Sequence, residues 1–315
     1  MYKDKAYRIL EEDAKKGKLS HAYLVICQDE NLSAYLKRYA KLLLCDEGCA
    51  CGKCRSCSLI EKELHPDCKS LFKKQILTAD ADDIISDAYY KPLEKDKKIY
   101  LISDFSSANE KSQNKLLKTL EEPPENVIFL LAGSSEYKIL PTIKSRAKKI
   151  EINPLDEEQI VEALREECPD IRRLTTASSL SGGYIEKTKI LYGEGDEERN
   201  TVIKILFSMK SSANIPYYSK LINKDNVAKI TALVRLAFLD VGKYHNGQNN
   251  FYFFGQDERE KIAVLASEYP IGAVIEIIEK IGEYEKATFF NTNFSMIADD
   301  LLFSLLEVKY KWRKL

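Results

Sequence analysis

The chain is short of the residues that break helices and of net charge. Its 315 residues include only 13 glycines and 9 prolines, which favours long helices over turn-rich β architecture. Lys+Arg number 48 against Asp+Glu 49, a formal net charge of -1. No basic excess therefore marks it as a nucleic-acid binder by composition. No apolar run approaches the roughly 20 residues of a membrane span. The first residues, MYKDKAYRILEEDAKKGKL, are charged and helical, without the apolar stretch of a signal peptide. A cytoplasmic protein is expected. In that setting eight cysteines read as thiols or metal ligands before disulfides.

What is present is a core of apolar segments separated by clear stops. HAYLVIC (His21 to Cys27) and Lys98 to Ile102 are short β-forming runs. NVIFLLA (Asn126 to Ala132) is apolar on both alternations, the pattern of a strand covered on both faces in a parallel sheet. Between the last two, Ala108, Leu116, Leu117 and Leu120 recur at helical spacing, and Pro123-Pro124 stops the helix. Two parallel strands joined by a helix make a right-handed βαβ crossover. An amphipathic helix over about 1–19 presents Ala6, Ile9, Leu10 and Ala14. Residues Thr78 to Tyr90 read as a capped helix facing the sheet through Ile84, Ile85 and Ala88.

The segment NKLLKTLEEPP (Asn114 to Pro124), then a strand, then LPTIKSR (Leu140 to Arg146) resembles the signature of the bacterial clamp-loader AAA+ subunits, which load the sliding clamp for DNA polymerase III. The resemblance covers residues 21–191 well and the rest weakly. It implies a RecA-like parallel-sheet domain with a zinc module, a small helical lid and an all-helical collar domain. The expected division is 1–153 for the core, with the module at about 45–57, then 154–195 for the lid and 196–315 for the collar. Pro154 and a cap-like Asp156 mark the first boundary, and the polar GEGDEERN (Gly193 to Asn200) marks the second. Beyond it, helices are expected over Val202–Met209, Asn226–Lys243, Asp257–Ser267, Ile271–Ile281 and Asn293–Lys311. YHNGQNNFYFFG (Tyr244 to Gly255) reads as a loop whose aromatics suit nucleic-acid stacking, with packing against a neighbouring helix the favoured alternative.

In the ATPases of this family the first strand runs into a glycine-rich loop with a Lys and a Ser/Thr, which wrap the phosphates and hold Mg²⁺. Here QDENLSAYL (Gln28 to Leu36) stands in its place, with no glycine and with Asp29 and Glu30 where an anion would sit. Carboxylates repel a triphosphate. The acidic pair at the end of the second strand is reduced to Ser103-Asp104. The lid arginine of a Gly-x-x-Arg pattern is Ile185, and Ser134 takes the place of the polar γ-phosphate sensor. No bound ATP is expected, and no catalytic site of the chain's own. The implied role is the delta-prime type, a rigid, non-hydrolysing wall of the ring. The ATP-hydrolysing gamma/tau type is the runner-up, and a free-standing zinc-bearing DNA-binding module lacks the basic or aromatic face it would need. The implied partners are the gamma/tau ATPase and delta subunits and, through the complex, the sliding clamp and primed DNA.

Two sets of residues carry chemistry. Cys51-x2-Cys54-x2-Cys57 has the spacing that lets thiolates converge on one zinc ion from a tight turn. The fourth ligand is Cys45, closing the helix that ends LLLC, with Cys49 as the alternative. Cys27, Cys68 and Cys168 are isolated and expected in cores. His65, in His65-Pro66-Asp67, suits a turn or cap better than a ligand or base. Finally, Ser145-Arg146 sits where the family places an arginine that reaches a neighbour's γ-phosphate in trans.

Overall fold

The computed structural model describes residues 2–29, 31–73, 75–194, 196–289 and 293–313. Two compact units divide it, Met1–Leu155 and Asp156–Leu315.

The first unit is built on five parallel strands. In chain order its elements are α1 (Lys5–Lys15), β1 (Ala22–Ile26), α2 (Leu32–Leu44), α3 (Arg55–Glu61), β2 (Cys68–Leu71) and α4 (Thr78–Ala88). They continue with β3 (Lys98–Ile102), α5 (Glu110–Glu121), β4 (Val127–Gly133), α6 (Pro141–Lys144) and β5 (Lys148–Glu151). The strand order is β2-β3-β4-β1-β5, with every pairing parallel. This is the order of a AAA+ core. The three inner strands are the three apolar runs, and β3 and β4 are buried along their whole length. The edge strand β5 instead exposes Lys148, Lys149 and Glu151, charges that discourage pairing with another sheet. Tyr100 and Phe129, facing partners on β3 and β4, stack at 5.2 Å.

Helix ends follow local chemistry. Asp4 caps α1 by accepting from the Tyr7 amide at 2.8 Å, and also pairs with the buried Arg38 of α2. The Arg38 guanidinium lies over the rings of Tyr7, Tyr35 and Tyr39. Helix α1 is thereby held on α2 by charge and by packing. In α4 the cap is Asp80, whose carboxylate accepts from the Leu77 amide at 2.9 Å.

The second unit is helical: α7 (Glu157–Leu164), α8 (Ile171–Ser181), α9 (Ile185–Gly193), α10 (Glu197–Ser208), α11 (Ile215–Ser219), α12 (Val227–His245), α13 (Arg259–Glu268), α14 (Ile271–Phe289) and α15 (Phe294–Arg313). Asp156 caps α7 reciprocally with Gln159. The apolar stripe of α12, including Ile230, Leu233 and Ala237, meets Ile277 and Ile281 of α14 and Leu301, Leu302 and Leu305 of α15 in one core. Phe253 and Phe254 of the aromatic loop are buried in it, so those rings are packing residues.

The same loop is gripped by Asp240, which is fully buried on α12. Its carboxylate accepts from the amides of Tyr252, Phe253 and Phe254 at 2.7, 2.8 and 2.9 Å. Burial pushes this carboxyl up to about 6, against three amides that favour its anion. The folded value lies above the ordinary one, so its contribution to stability is complete below about pH 4. It is lost as pH rises through about 6. Asp240→Ala strips three buried donors of their acceptor and is expected to cost the second unit about 2–4 kcal/mol in urea unfolding. Asp240→Asn is expected to flatten the dependence of stability on pH between about 4 and 6. An Ala variant within about 0.5 kcal/mol of wild type would contradict the assignment.

Candidate functional site

The carboxyl ends of the parallel strands are where AAA+ sheets bring ligands to helix N-termini. In this chain a cavity of about 400 Å³ lies there, lined by Gln28, Asp29, Leu32, Ser33, Phe72, Lys73, Ser103, Asp104 and Ser134. The structure thus gathers Asp29, the Ser103-Asp104 pair and Ser134 from three separate parts of the sequence. Glu30 lies outside the described residues.

Two carboxylates, Asp29 and Asp104, and one lysine, Lys73, line the cavity. Asp29 is buried at 2 % exposure. Its carboxylate accepts from the Asn31 amide at 2.9 Å, from Asn31 Nδ2 at 3.1 Å and from the Tyr35 hydroxyl at 3.1 Å. A carboxylate therefore holds a backbone donor at the start of α2, where the positive end of the helix dipole attracts anions. Asp104 takes a left-handed conformation (φ 48°) and accepts from Ser106 Oγ at 2.7 Å. Ser106 also reaches Ser134 Oγ at 3.3 Å. Lys73 is paired with Asp80. In the second unit, Ile185 is a core residue, buried at 4 % exposure.

The cysteine module lies between α2 and α3. Cys45, Cys51, Cys54 and Cys57 place their sulfurs within 4.8 Å of one another. Cys45 Sγ lies 3.7 Å from Cys51 Sγ and 3.8 Å from Cys54 Sγ. Four thiolates about 2.3 Å from one ion in a tetrahedron stand about 3.8 Å apart, so the group has zinc dimensions. Cys49 is exposed and lies outside it. Gly52 turns the chain with φ 71°, a conformation glycine adopts without strain. That turn lets the amides of Lys53 and Cys54 point at Cys51 Sγ at 3.4 and 3.3 Å, while the Cys57 amide points at Cys54 Sγ at 3.4 Å. Burial raises the Cys45 thiol, but backbone donors from Cys51, Cys49 and Glu47 outweigh it and hold it at about 6. Burial pushes Cys57 up. Cys27, Cys68 and Cys168 are all buried, as expected of packing thiols.

A carboxylate ties the module to the sheet, and sequence reasoning missed it. His65 Nδ1 accepts from the Asp67 amide at 3.1 Å, a turn role. Asp67, fully buried, accepts from the amides of Leu93, Glu94 and Lys95 at 2.6, 2.7 and 2.8 Å. The loop so fixed sends Glu94 to Arg55 and Lys95 to Asp46. Asp46 in turn accepts from the Ser56 amide and hydroxyl. A His-Pro-Asp turn could have been flagged for capping, but the loop 93–95 could not.

Arg146 lies just beyond α6, a single turn with Pro141 at its start. Its Nη1 donates to Thr142 O at 2.9 Å and to Ser145 Oγ at 3.2 Å, and its Nη2 pairs with Glu121 Oε1 at 2.6 Å. Ser145 itself is exposed and donates to Thr142 O. The approach to α6 is set by Gln113 of α5, 1 % exposed. Gln113 donates to Ala108 O and Lys138 O and accepts from the Leu140 amide, each at 2.9 Å. Neither Gln113 nor Glu121 stood out in the sequence, since Lys138, Leu140 and Arg146, which they hold, are 25–27 residues away in chain order.

A five-stranded parallel sheet in this order, with a cavity at the carboxyl ends of its strands and an arginine just past the short α6, is the frame of a AAA+ protein. Residues 2–156 match the family profile of the DNA polymerase III delta subunit. Residues 194–305 match the profile for the C-terminal part of the DNA polymerase III delta subunit. The chain belongs to the DNA polymerase III delta-subunit family. It is 32% identical over 216 residues to DNA polymerase III subunit delta′ of Bacillus subtilis, a match covering 63% of this chain and 62% of that protein. The delta′ subunit of Pseudomonas aeruginosa is 28% identical over 194 residues, covering 58% of this chain and 59% of that protein. The tau/gamma subunit of Haemophilus influenzae is 34% identical over 160 residues, 49% of this chain but 23% of its own length. The chain spans less than two thirds of each of these relatives.

Among the described residues no helix is long and apolar enough to cross a membrane.

Proposed function

We propose that this chain is the non-hydrolysing, delta-prime-type subunit of a replicative clamp loader. One observation carries the reading. The buried Asp29 carboxylate occupies the start of α2, where a nucleotide-binding relative would place phosphate. Asp104 adds a second negative charge to the same cavity, and the lysine that lines it, Lys73, is already paired with Asp80. Moving a triphosphate against two carboxylates in a partly desolvated cavity is unfavourable.

In this reading the first unit is a rigid wall of the ring. Residues 154–195 serve as the lid and 196–315 as the collar that binds the gamma/tau ATPase and delta subunits. Through them the complex acts on the sliding clamp and primed DNA in the cytoplasm. Cys45, Cys51, Cys54 and Cys57 would hold one zinc ion, whose contribution is structural: it crosslinks the turn after α2 to the start of α3. Arg146 serves a neighbour's ATP site in trans.

The test is calorimetry of the isolated protein with ATP and Mg²⁺. No heat of binding is expected at micromolar concentrations. A dissociation constant in the micromolar range, about −8 kcal/mol, would overturn the reading. It would favour the ATP-hydrolysing gamma/tau type, which the match to a tau/gamma subunit over 160 residues keeps as the rival.

A further inference from the structure

The guanidinium of Arg146 does not project from the surface. It folds back along its own short helix to the Thr142 carbonyl, and its other nitrogen is held by Glu121. The carboxylate it meets is rigidly placed. Glu121 is the last residue of α5, and Pro123-Pro124 prevents the helix from running on. Through Gln113 the same helix also fixes Lys138 to Leu140, the lead into α6. One helix thus sets both the carboxylate and the base of the arginine.

We propose that Glu121 is a positioning residue for the arginine acting in trans: it retains the Arg146 guanidinium on the chain's own surface until a phosphoryl group of the neighbouring subunit displaces it. The inference rests on the trans role of Arg146 given above. The ion pair is suited to displacement. Arg146 and Glu121 keep side-chain exposures of 33% and 47%, and pairs so exposed are weak and easily exchanged. A phosphoryl group accepts from a guanidinium through two parallel hydrogen bonds and carries more charge than one carboxylate. The arginine therefore leaves Glu121 when a phosphate is correctly presented and returns when it is not. Retention lowers wasteful hydrolysis in a ring whose subunits are not fully docked.

The experiment uses the complete loader assembled with Glu121→Gln, which keeps the side chain's size and removes its charge. ATP hydrolysis at saturating ATP, without clamp and DNA, is expected to rise about two- to fivefold, the scale of a half-exposed ion pair. The rate with clamp and primed DNA present should stay at wild type. Adding Arg146→Ala to Glu121→Gln should erase the rise and reproduce the single Arg146→Ala complex. Glu121→Asp, which keeps the charge but withdraws it, should give a smaller rise and serves if the Gln variant fails to assemble. An unchanged unstimulated rate would overturn the inference, as would a loss like that of Arg146→Ala. If Arg146→Ala hydrolyses ATP at wild-type rates, the trans role itself fails. If Arg146→Ala is slow and both Glu121 variants are silent, only the retention fails.

Discussion

A clamp loader assembled with Arg146→Ala is expected to keep its subunits and to lose ATP hydrolysis at one site. The side chain lies beside α6 with its nitrogens on Thr142, Ser145 and Glu121, and none of these is a core contact. Truncation therefore leaves the sheet and the helical unit intact. What is lost is a permanent cation with a planar fork of donors. An arginine supplied in trans stabilises charge on the transferring phosphoryl group and contributes about 10³ to 10⁵ in rate. At the affected site the fall should be of that order, while the summed rate of the ring falls less because the other sites keep their own arginines. Clamp loading should slow in parallel. Arg146→Lys should recover only part of the rate, since an ammonium keeps the charge but not the bidentate geometry. Wild-type hydrolysis and loading in the Ala complex would remove Arg146 from the mechanism.

The second large effect concerns the cysteine module. Protein purified without chelator is expected to hold one equivalent of zinc, and Cys54→Ser to lose it. Cys54 touches each of the other three residues of the group. Its sulfur accepts from the Cys57 amide and faces Cys45, its own amide points at Cys51, and it caps α3. Little apolar packing compensates in a segment where Cys49, Gly52 and Lys53 are exposed. The free energy of metal binding is then local folding energy, roughly 10–16 kcal/mol in small zinc modules. Hydrogen exchange should accelerate over residues 45–65 in the variant. Strands β3 and β4, buried on both faces, should stay protected. Cys49→Ser should keep the metal. Less than about half an equivalent of zinc in the wild type would count against the site. Loss of metal in Cys49→Ser alone would transfer the fourth ligand to that residue.

The parts of this protein that could be read from the chain are those whose cause is local. A strand buried on both faces must be apolar at every position, which is why the runs around Leu24, Leu101 and Leu130 announced the three inner strands. Pro123-Pro124 stops α5 wherever the helix sits. The x2 spacing of Cys51, Cys54 and Cys57 implies convergence because a tight turn has few geometries. Loss of the glycine-rich loop was equally visible, since no tertiary contact can supply missing glycines.

What needed the tertiary structure were pairings across distance. Asp67 and Asp240 each gather three backbone amides, from loops 26–28 and 12–14 residues away. Nothing in an isolated aspartate distinguishes it from a surface one. Gln113 and Glu121 acquire their roles only because α5 packs beside the segment leading to α6. The choice between Cys45 and Cys49 was likewise open in sequence. In the structure the end of α2 brings Cys45 to the other sulfurs, while left-handed turns at Gly48 and Ala50 (φ 66° and 53°) flank the exposed Cys49, which lies outside the group. Composition and spacing determine which side chains are available. Which carboxylate meets which amide, and which thiol meets the others, is settled by the path of the backbone between them.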